Sequence, residues 1–206
     1  HGINNEAVAV ARSLHAKVNS GETAALLADA QLELGQNEAA ATLLAGLDKA
    51  QGTLQTDILH GIALARLGKL DEAKTLAGAA ELPKDCDGQI CFDAARLNAL
   101  VGNVDQASNL LKSAFESTPP NQLDAVKADA KQSKDLSKLT TDAGFAQVLE
   151  TKSKVAAGCG GAAGCGKCSS KAGCASKGKE GEAAGCKEHE KQGEKAPGCG
   201  HEKKDK

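Results

Sequence analysis

A short string of similar sequence occurs four times at nearly constant spacing. It reads GINNEA from Gly2, GQNEAA from Gly35, GKLDEA from Gly68 and GNVDQA from Gly102, so successive copies start 33, 33 and 34 residues apart. In every copy an alanine follows the glycine by five residues. A period of this length is typical of helical repeat arrays, in which each unit is a helix pair that buries its apolar face by stacking on its neighbours.

The segments on either side of the internal glycines have the composition of helices. TAALLADAQLEL, DILHGIALARL and CFDAARLNALV precede these glycines, and AATLLAGL, AKTLAGAAEL and ASNLLKSAF follow them. Glycine ends the first helix of each pair because it adopts the left-handed cap conformation without steric cost. The chain has no Trp, Tyr or Met and relies on Ala and Leu, the strongest helix formers. The predicted fold is therefore all-α, an α-solenoid of antiparallel helix pairs.

These repeats resemble the tetratricopeptide repeat family over about residues 21–120. The matching positions are the turn glycines, the small residues that follow them, the small residues of the first helices and one later proline: Gly35, Gly68, Gly102, Ala40, Ala73, Ala107, Ala28, Gly61, Ala95 and Pro119. The aromatic positions of the family carry Leu, Ala or Asn here, so the repeats are degenerate. A Sel1-like or other α-solenoid is the alternative.

The repeats divide the chain into four predicted parts. Residues 1–20 hold the turn of a repeat without its first helix, followed by one helix, and form a partial repeat or N-terminal cap. Residues 21–120 form three repeats. Residues 121–150 form C-terminal capping helices, and their DLSKL turn and final helix with Phe145 resemble the closing segment of many bacterial tetratricopeptide proteins. A structural role is expected for this ending. Residues 151–206 form a tail.

The tail differs in composition from the rest of the chain. Residues 151–206 hold 12 Lys, 7 Asp or Glu and 12 of the 23 glycines, whereas residues 1–150 hold 13 Lys or Arg and 20 Asp or Glu. Apart from Ala, Cys and Pro, the only apolar residue of the tail is Val155. Such a segment cannot bury enough apolar surface to offset the entropy of ordering it. A disordered tail rich in Cys, Gly and Lys is therefore predicted.

The cysteines and histidines of the tail predict metal binding. They divide into two candidate four-ligand sites, Cys159, Cys165, Cys168 and Cys174, spaced C-x5-C-x2-C-x5-C, and Cys186, His189, Cys199 and His201. Thiolates bind soft or borderline metals such as Cu(I) and Zn(II), and low-complexity Cys/His tracts are typical of metal-binding segments. Disulfides within or between chains, redox-reactive thiols and an inert linker are the alternatives.

Two further cysteines, Cys86 and Cys91, lie at the entrance to the first helix of the third repeat. In an oxidising compartment, cysteines this close in sequence predict a local disulfide that fixes the loop to the start of the helix. Two buried free thiols, or a metal site that includes Asp85 or Asp87, are the alternatives.

The resemblance to tetratricopeptide arrays implies a concave groove, lined mainly by the first helices, that binds a protein or peptide partner. The implied groove residues are Asp29, Leu32, Glu33, Ile62, Arg66, Phe92 and Arg96. Arg66 and Arg96 are candidates to bind a carboxylate of the partner, because a guanidinium matches a carboxylate in a two-point fork. A solvated helix face with incidental charges is the alternative for each residue.

These features predict a non-enzymatic interaction scaffold whose tail binds Cu(I) or Zn(II). The alternatives are a metal storage or detoxification protein with the repeats as carrier only, or an adaptor whose tail cysteines are redox-active. The sequence has no nucleophile beside a base and no phosphate-binding glycine loop.

Nucleic acid is not an expected partner, because the repeats are acidic and the tail has no aromatic residue to stack on bases. No stretch approaches the roughly 20 apolar residues of a membrane-spanning helix. The absence of an initial Met and the eight cysteines favour a periplasmic or secreted bacterial protein. A cytoplasmic location is the alternative.

Overall fold

The computed structural model describes residues 2–48, 50–83 and 86–155, and these residues form ten helices with their connecting turns and no β-strand. The helices are α1 (Gly2–Val18), α2 (Gly21–Glu33), α3 (Asn37–Ala45), α4 (Leu54–Arg66), α5 (Leu70–Ala79), α6 (Gly88–Val101), α7 (Val104–Ser117), α8 (Pro120–Gln132), α9 (Ser137–Thr140) and α10 (Phe145–Leu149). The predicted all-α class is confirmed.

Helices that follow one another in sequence pack together in pairs. The α2 helix packs on α3, α4 on α5 and α6 on α7, while α1 packs on α2. The α4 helix also contacts both α2 and α6, so the first helices of successive pairs lie side by side. Neighbouring helices joined by short turns run in opposite directions. This arrangement is compatible with a helical repeat fold.

The three internal repeat glycines make the same turn. Gly35, Gly68 and Gly102 have positive φ angles of 75°, 81° and 94°, which a residue with a Cβ atom adopts only with strain. The residue after each glycine donates its N–H to the carbonyl five residues earlier, at 2.8, 2.9 and 2.8 Å. This hydrogen bond belongs to the Schellman motif that closes helix ends. The predicted glycine caps are therefore confirmed at all three turns.

Other repeated positions also have the same local structure. Ala40, Ala73 and Ala107, five residues after each glycine, are fully buried in the core. The α2 and α4 helices both begin with a capping box, in which the hydroxyl of Ser20 or Thr53 accepts a hydrogen bond from the backbone of the third helical residue. The sequence period therefore has a structural counterpart at the turns, in the core and at the helix starts.

The apolar core has two parts. The first is formed by side chains of α2 to α6, and the second by side chains of α6 and α7 together with the closing helices α8 to α10. Leu136 and Leu139 of the closing segment are fully buried, and Phe145 faces inward as predicted. Burying these side chains attaches the closing segment to the last helix pair.

Both ends of the described chain differ from the prediction. The GINNEA string, predicted as a turn, lies within α1, so that prediction is wrong. The predicted tail boundary is too early, because residues 151–155 lie against the end of α7: Ser153 Oγ donates to Thr118 O at 2.6 Å and Lys154 N to Glu116 O at 2.8 Å. Residues 156–206 lie outside the described residues. No helix in the described part is long and apolar enough to cross a membrane.

Candidate functional site

The candidate site is a cleft of about 960 Å³ beside the face formed by α2 and α6. Its lining comes from the C-terminal half of α2 and the turn after it, Arg66 of α4, residues 87–96, the link between α7 and α8, the helix α8 and residues 133–135. This volume lies near the upper end of the range of about 300–1,000 Å³ that is usual for ligand sites. The cleft therefore has room for several side chains of a binding partner.

Six of the seven predicted groove residues line this cleft: Asp29, Leu32, Glu33, Arg66, Phe92 and Arg96. The prediction is wrong for Ile62, which is 0% exposed and belongs to the first core. The reason is the central position of α4, which packs against α2, α3, α5 and α6. This crowding buries most of the α4 side chains, and α4 reaches the cleft only through Arg66 at its C-terminal end.

The carboxylate of Asp135 lies between the two cleft arginines. Arg66 binds it in a two-point fork, with Nε donating to Oδ1 at 2.9 Å and Nη2 to Oδ2 at 2.7 Å. Arg96 Nε donates to the same Oδ2 at 2.9 Å. Such charge-assisted hydrogen bonds are among the strongest in proteins. Asp135 therefore takes the position that the sequence analysis gave to a partner's carboxylate, and that prediction needs this correction.

The remaining nitrogens of both guanidinium groups also donate hydrogen bonds within the chain. Arg96 Nη1 donates to Asp93 Oδ1 at 3.0 Å, and its Nη2 donates to Glu33 Oε1 at 2.9 Å. Arg66 Nη1 donates to the carbonyl of Leu32 at 2.6 Å. The two guanidinium groups thus join α2, α4 and α6 to the segment that precedes α9. We call Glu33, Arg66, Asp93, Arg96 and Asp135 the arginine network.

Burial and neighbouring charges shift the pKa values of the carboxyl groups of this site in different directions. Burial alone raises the pKa of Asp135, but the hydrogen bond from Arg66 and the charge of Arg96 outweigh it and hold the pKa below its ordinary value. Burial raises the pKa of Asp93 to about 6, because the nearby charge of Arg96 compensates only in part. Burial likewise raises the pKa of Asp29 against the opposing charge of Arg96. Burial thus raises the pKa of Asp93 and Asp29, whereas the two arginines hold the pKa of Asp135 down.

Two parts of this site were not among the residues predicted from the sequence. Asp135 was assigned a structural role within the closing segment, and α8 was treated as a cap although Gln122, Val126 and Asp129 line the cleft. No local sequence signal connects Asp135 to Arg66 and Arg96, because 69 and 39 residues separate them. The DLSKL string indicates a closing turn, with Asp135 directly before Leu136, but it does not identify the partners of this carboxylate.

A disulfide joins Cys86 and Cys91, whose Cα atoms are 6.0 Å apart. Both residues are buried in the second core. Between them lie Asp87, Gly88 and Gln89, which line the cleft, and the carboxylate of Asp87 accepts the backbone N–H of Gln89 at 2.9 Å. The crosslink therefore fixes the segment that forms one edge of the cleft.

The predicted metal ligands lie outside the described residues. They are Cys159, Cys165, Cys168, Cys174, Cys186, His189, Cys199 and His201. Within the described ranges, no three His, Cys, Asp or Glu side chains are arranged to hold a metal ion.

No protein-family model, no curated protein and no solved structure matches this chain.

Proposed function

We propose that the chain is a protein-interaction module of the tetratricopeptide type, whose cleft binds a segment of a partner protein. The observation that carries this proposal is the open cleft beside the α2 and α6 helices, the first helices of the first and third pairs. The arginine network supports it, because interlocked ion pairs fix the cleft side chains before a partner arrives. Preorganisation of this kind reduces the entropy lost on binding.

The experiment that tests this proposal needs no known partner. A phage library of random dodecapeptides is selected on the immobilised full chain, and the affinity of the recovered peptides is measured by fluorescence anisotropy. The variant Gln122→Trp places an indole in the cleft from an exposed position of α8, and Ala128→Trp is the matched control, exposed on α8 and outside the cleft lining.

We expect Gln122→Trp to weaken binding at least ten-fold and Ala128→Trp to leave it nearly unchanged, because only the first indole occupies space that a peptide needs. If every recovered peptide binds both variants and the unaltered chain equally well, the cleft is not the binding site and the proposal is wrong.

We further propose that the Cys/His residues after Val155 bind Cu(I) or Zn(II). The support is compositional: six cysteines and two histidines occur in a segment that contains no large apolar side chain. The full chain is titrated anaerobically with each metal against a competing chelator. In the control chain, serine replaces the six cysteines of this segment, while Cys86 and Cys91 are kept. Equal metal uptake by both chains would contradict metal binding.

The two proposals together separate the remaining alternatives. A storage or detoxification protein would take up metal but bind no peptide in a manner sensitive to Gln122→Trp. An adaptor with redox-active cysteines would bind peptide and lose thiols to oxidation without taking up metal. The disulfide between Cys86 and Cys91 favours the proposal of a periplasmic or secreted location over a cytoplasmic one, because disulfides persist in oxidising compartments.

A further inference from the structure

We infer that the cleft binds a partner segment that carries lysine or arginine side chains next to apolar ones. This inference rests on the proposed function, because it names the chemistry of the partner that the same cleft would bind. It differs from the expectation of a partner carboxylate, which the two arginines alone suggested.

The two arginines of the cleft already have carboxylate partners within the chain. Arg66 and Arg96 share the carboxylate of Asp135, which is only 4% exposed. A partner carboxylate would have to displace this group, and the neighbouring Leu136 is fully buried in the second core. Displacing Asp135 would therefore expose the buried side chain of Leu136 to water. Apart from these arginines, the only basic residue that lines the cleft in the described part of the chain is Lys134.

The cleft lining holds five carboxylates against three basic groups, and two of these carboxylates, on α2, are partly exposed. The side chains of Asp29 and Glu33 are 41% and 54% exposed, and they lie one turn apart on α2, where like charges repel. Asp29 Oδ1 is 3.9 Å from Arg96 Nη1, which is beyond hydrogen-bond distance. Burial raises the pKa of Asp29, and the nearby charge of Glu33 adds to this while Arg96 opposes it. Arg96 Nη2 already donates to Glu33 Oε1 at 2.9 Å, so a partner cation beside Asp29 and the exposed part of Glu33 would supply a second opposite charge.

The other walls of the cleft also carry carboxylates, together with apolar side chains. Asp87, before α6, and the exposed Asp129, on α8, add two further carboxylates to the lining. Leu34 and Val126, which are both partly exposed, provide apolar surface in the same cleft. A segment in which basic and apolar side chains are interspersed would therefore match the lining in charge and in apolar surface.

The test uses the dodecapeptide library selected on the full chain and two double variants of equal net charge. The cleft variant is Asp29→Asn with Asp129→Asn, because Glu33 also pairs with Arg96 in the arginine network. The control variant is Glu72→Gln with Asp124→Asn, two exposed residues of α5 and α8 that do not line the cleft. Affinities are measured by anisotropy at low and at physiological salt, because attraction between charges weakens as salt increases.

We expect the selected peptides to be rich in Lys and Arg. Their affinity should fall about ten-fold in the cleft variant and less than two-fold in the control variant, since each partly exposed ion pair contributes up to a few-fold. Acidic or uncharged peptides that are still sensitive to Gln122→Trp would overturn this inference and leave the proposed function standing. Basic peptides that lose equal affinity in both double variants would overturn the inference, because they would report general attraction to an acidic surface. The absence of any peptide sensitive to Gln122→Trp would overturn both.

Discussion

Replacing Asp135 with asparagine tests whether the arginine network stabilises the fold. The substitution keeps the shape of the side chain but removes the charge that two arginines share. Loss of one partner from a buried ion pair typically costs about 3–5 kcal/mol. Here the cost should be smaller, because the Arg66 side chain is 20% exposed and Arg96 keeps Asp93 and Glu33 as partners. We therefore expect a loss of about 2–3 kcal/mol from the free energy of unfolding.

The assay is urea unfolding of the full chain at neutral pH, followed by circular dichroism. With a typical m-value of about 2 kcal/mol/M, the expected loss lowers the midpoint by about 1 M urea. Asp124→Asn is the control, because this carboxylate is exposed on α8 and forms no ion pair with the described residues. A midpoint for Asp135→Asn within experimental error of the control would refute the reasoning.

The pH dependence of the same variant provides a second check. The pKa of Asp135 is lowered in the folded state, mainly because the hydrogen bond from Arg66 and the charge of Arg96 outweigh the opposing effect of burial. Its stabilising contribution is therefore present above the unfolded pKa of 3.8 and is lost as the pH falls through the folded pKa. The difference in stability between the unaltered chain and Asp135→Asn should be constant from neutral pH to about pH 5 and shrink below about pH 4. A difference that stays constant into strong acid would point to a cause other than the carboxylate charge.

Three further predictions follow from individual residues. Burial raises the pKa of Asp93 to about 6, so the ionised form of this side chain lowers the stability of the fold above that pH. On acidification to about pH 4, the unaltered chain should gain up to about 3 kcal/mol in free energy of unfolding relative to Asp93→Asn. A pH-independent difference in urea unfolding would contradict this. Gly68→Ala should lower the free energy of unfolding by about 1 kcal/mol, because the φ angle at this position is 81°. Gly78→Ala, within α5 and with open space around the new Cβ, should instead raise it by about 0.5–1 kcal/mol in the same assay. Equal midpoints for the two variants would refute the left-handed cap at Gly68. Replacing both Cys86 and Cys91 with serine should lower the stability by about 2 kcal/mol, as expected for a crosslink that closes a short loop. If the double variant and the unaltered chain unfold at the same urea concentration without reductant, the crosslink contributes nothing.

The helical framework was predictable because its signals are local. Each unit repeats a glycine that requires a positive φ and, five positions later, a small residue that is buried. The structure has the same turn at Gly35, Gly68 and Gly102. Six groove residues were predictable for the same reason, since their positions follow from the repeat register. Ile62 was not, because its burial depends on how many helices surround α4, and register alone does not specify that number.

The chemistry of the cleft could not be predicted, because it depends on a contact between distant parts of the chain. Read alone, Arg66 and Arg96 indicate a site for an anionic partner. Asp135 reverses that conclusion from outside the repeats. Its carboxylate accepts hydrogen bonds from both arginines, and with it the cleft is lined by five carboxylates against three basic groups. The same contact couples the closing segment to α4 and α6, so that loosening the closing segment would release the arginines. A partner that binds Asp29 and Glu33 therefore benefits from an intact closing segment, and variants that weaken this segment should also weaken cationic binding in the cleft.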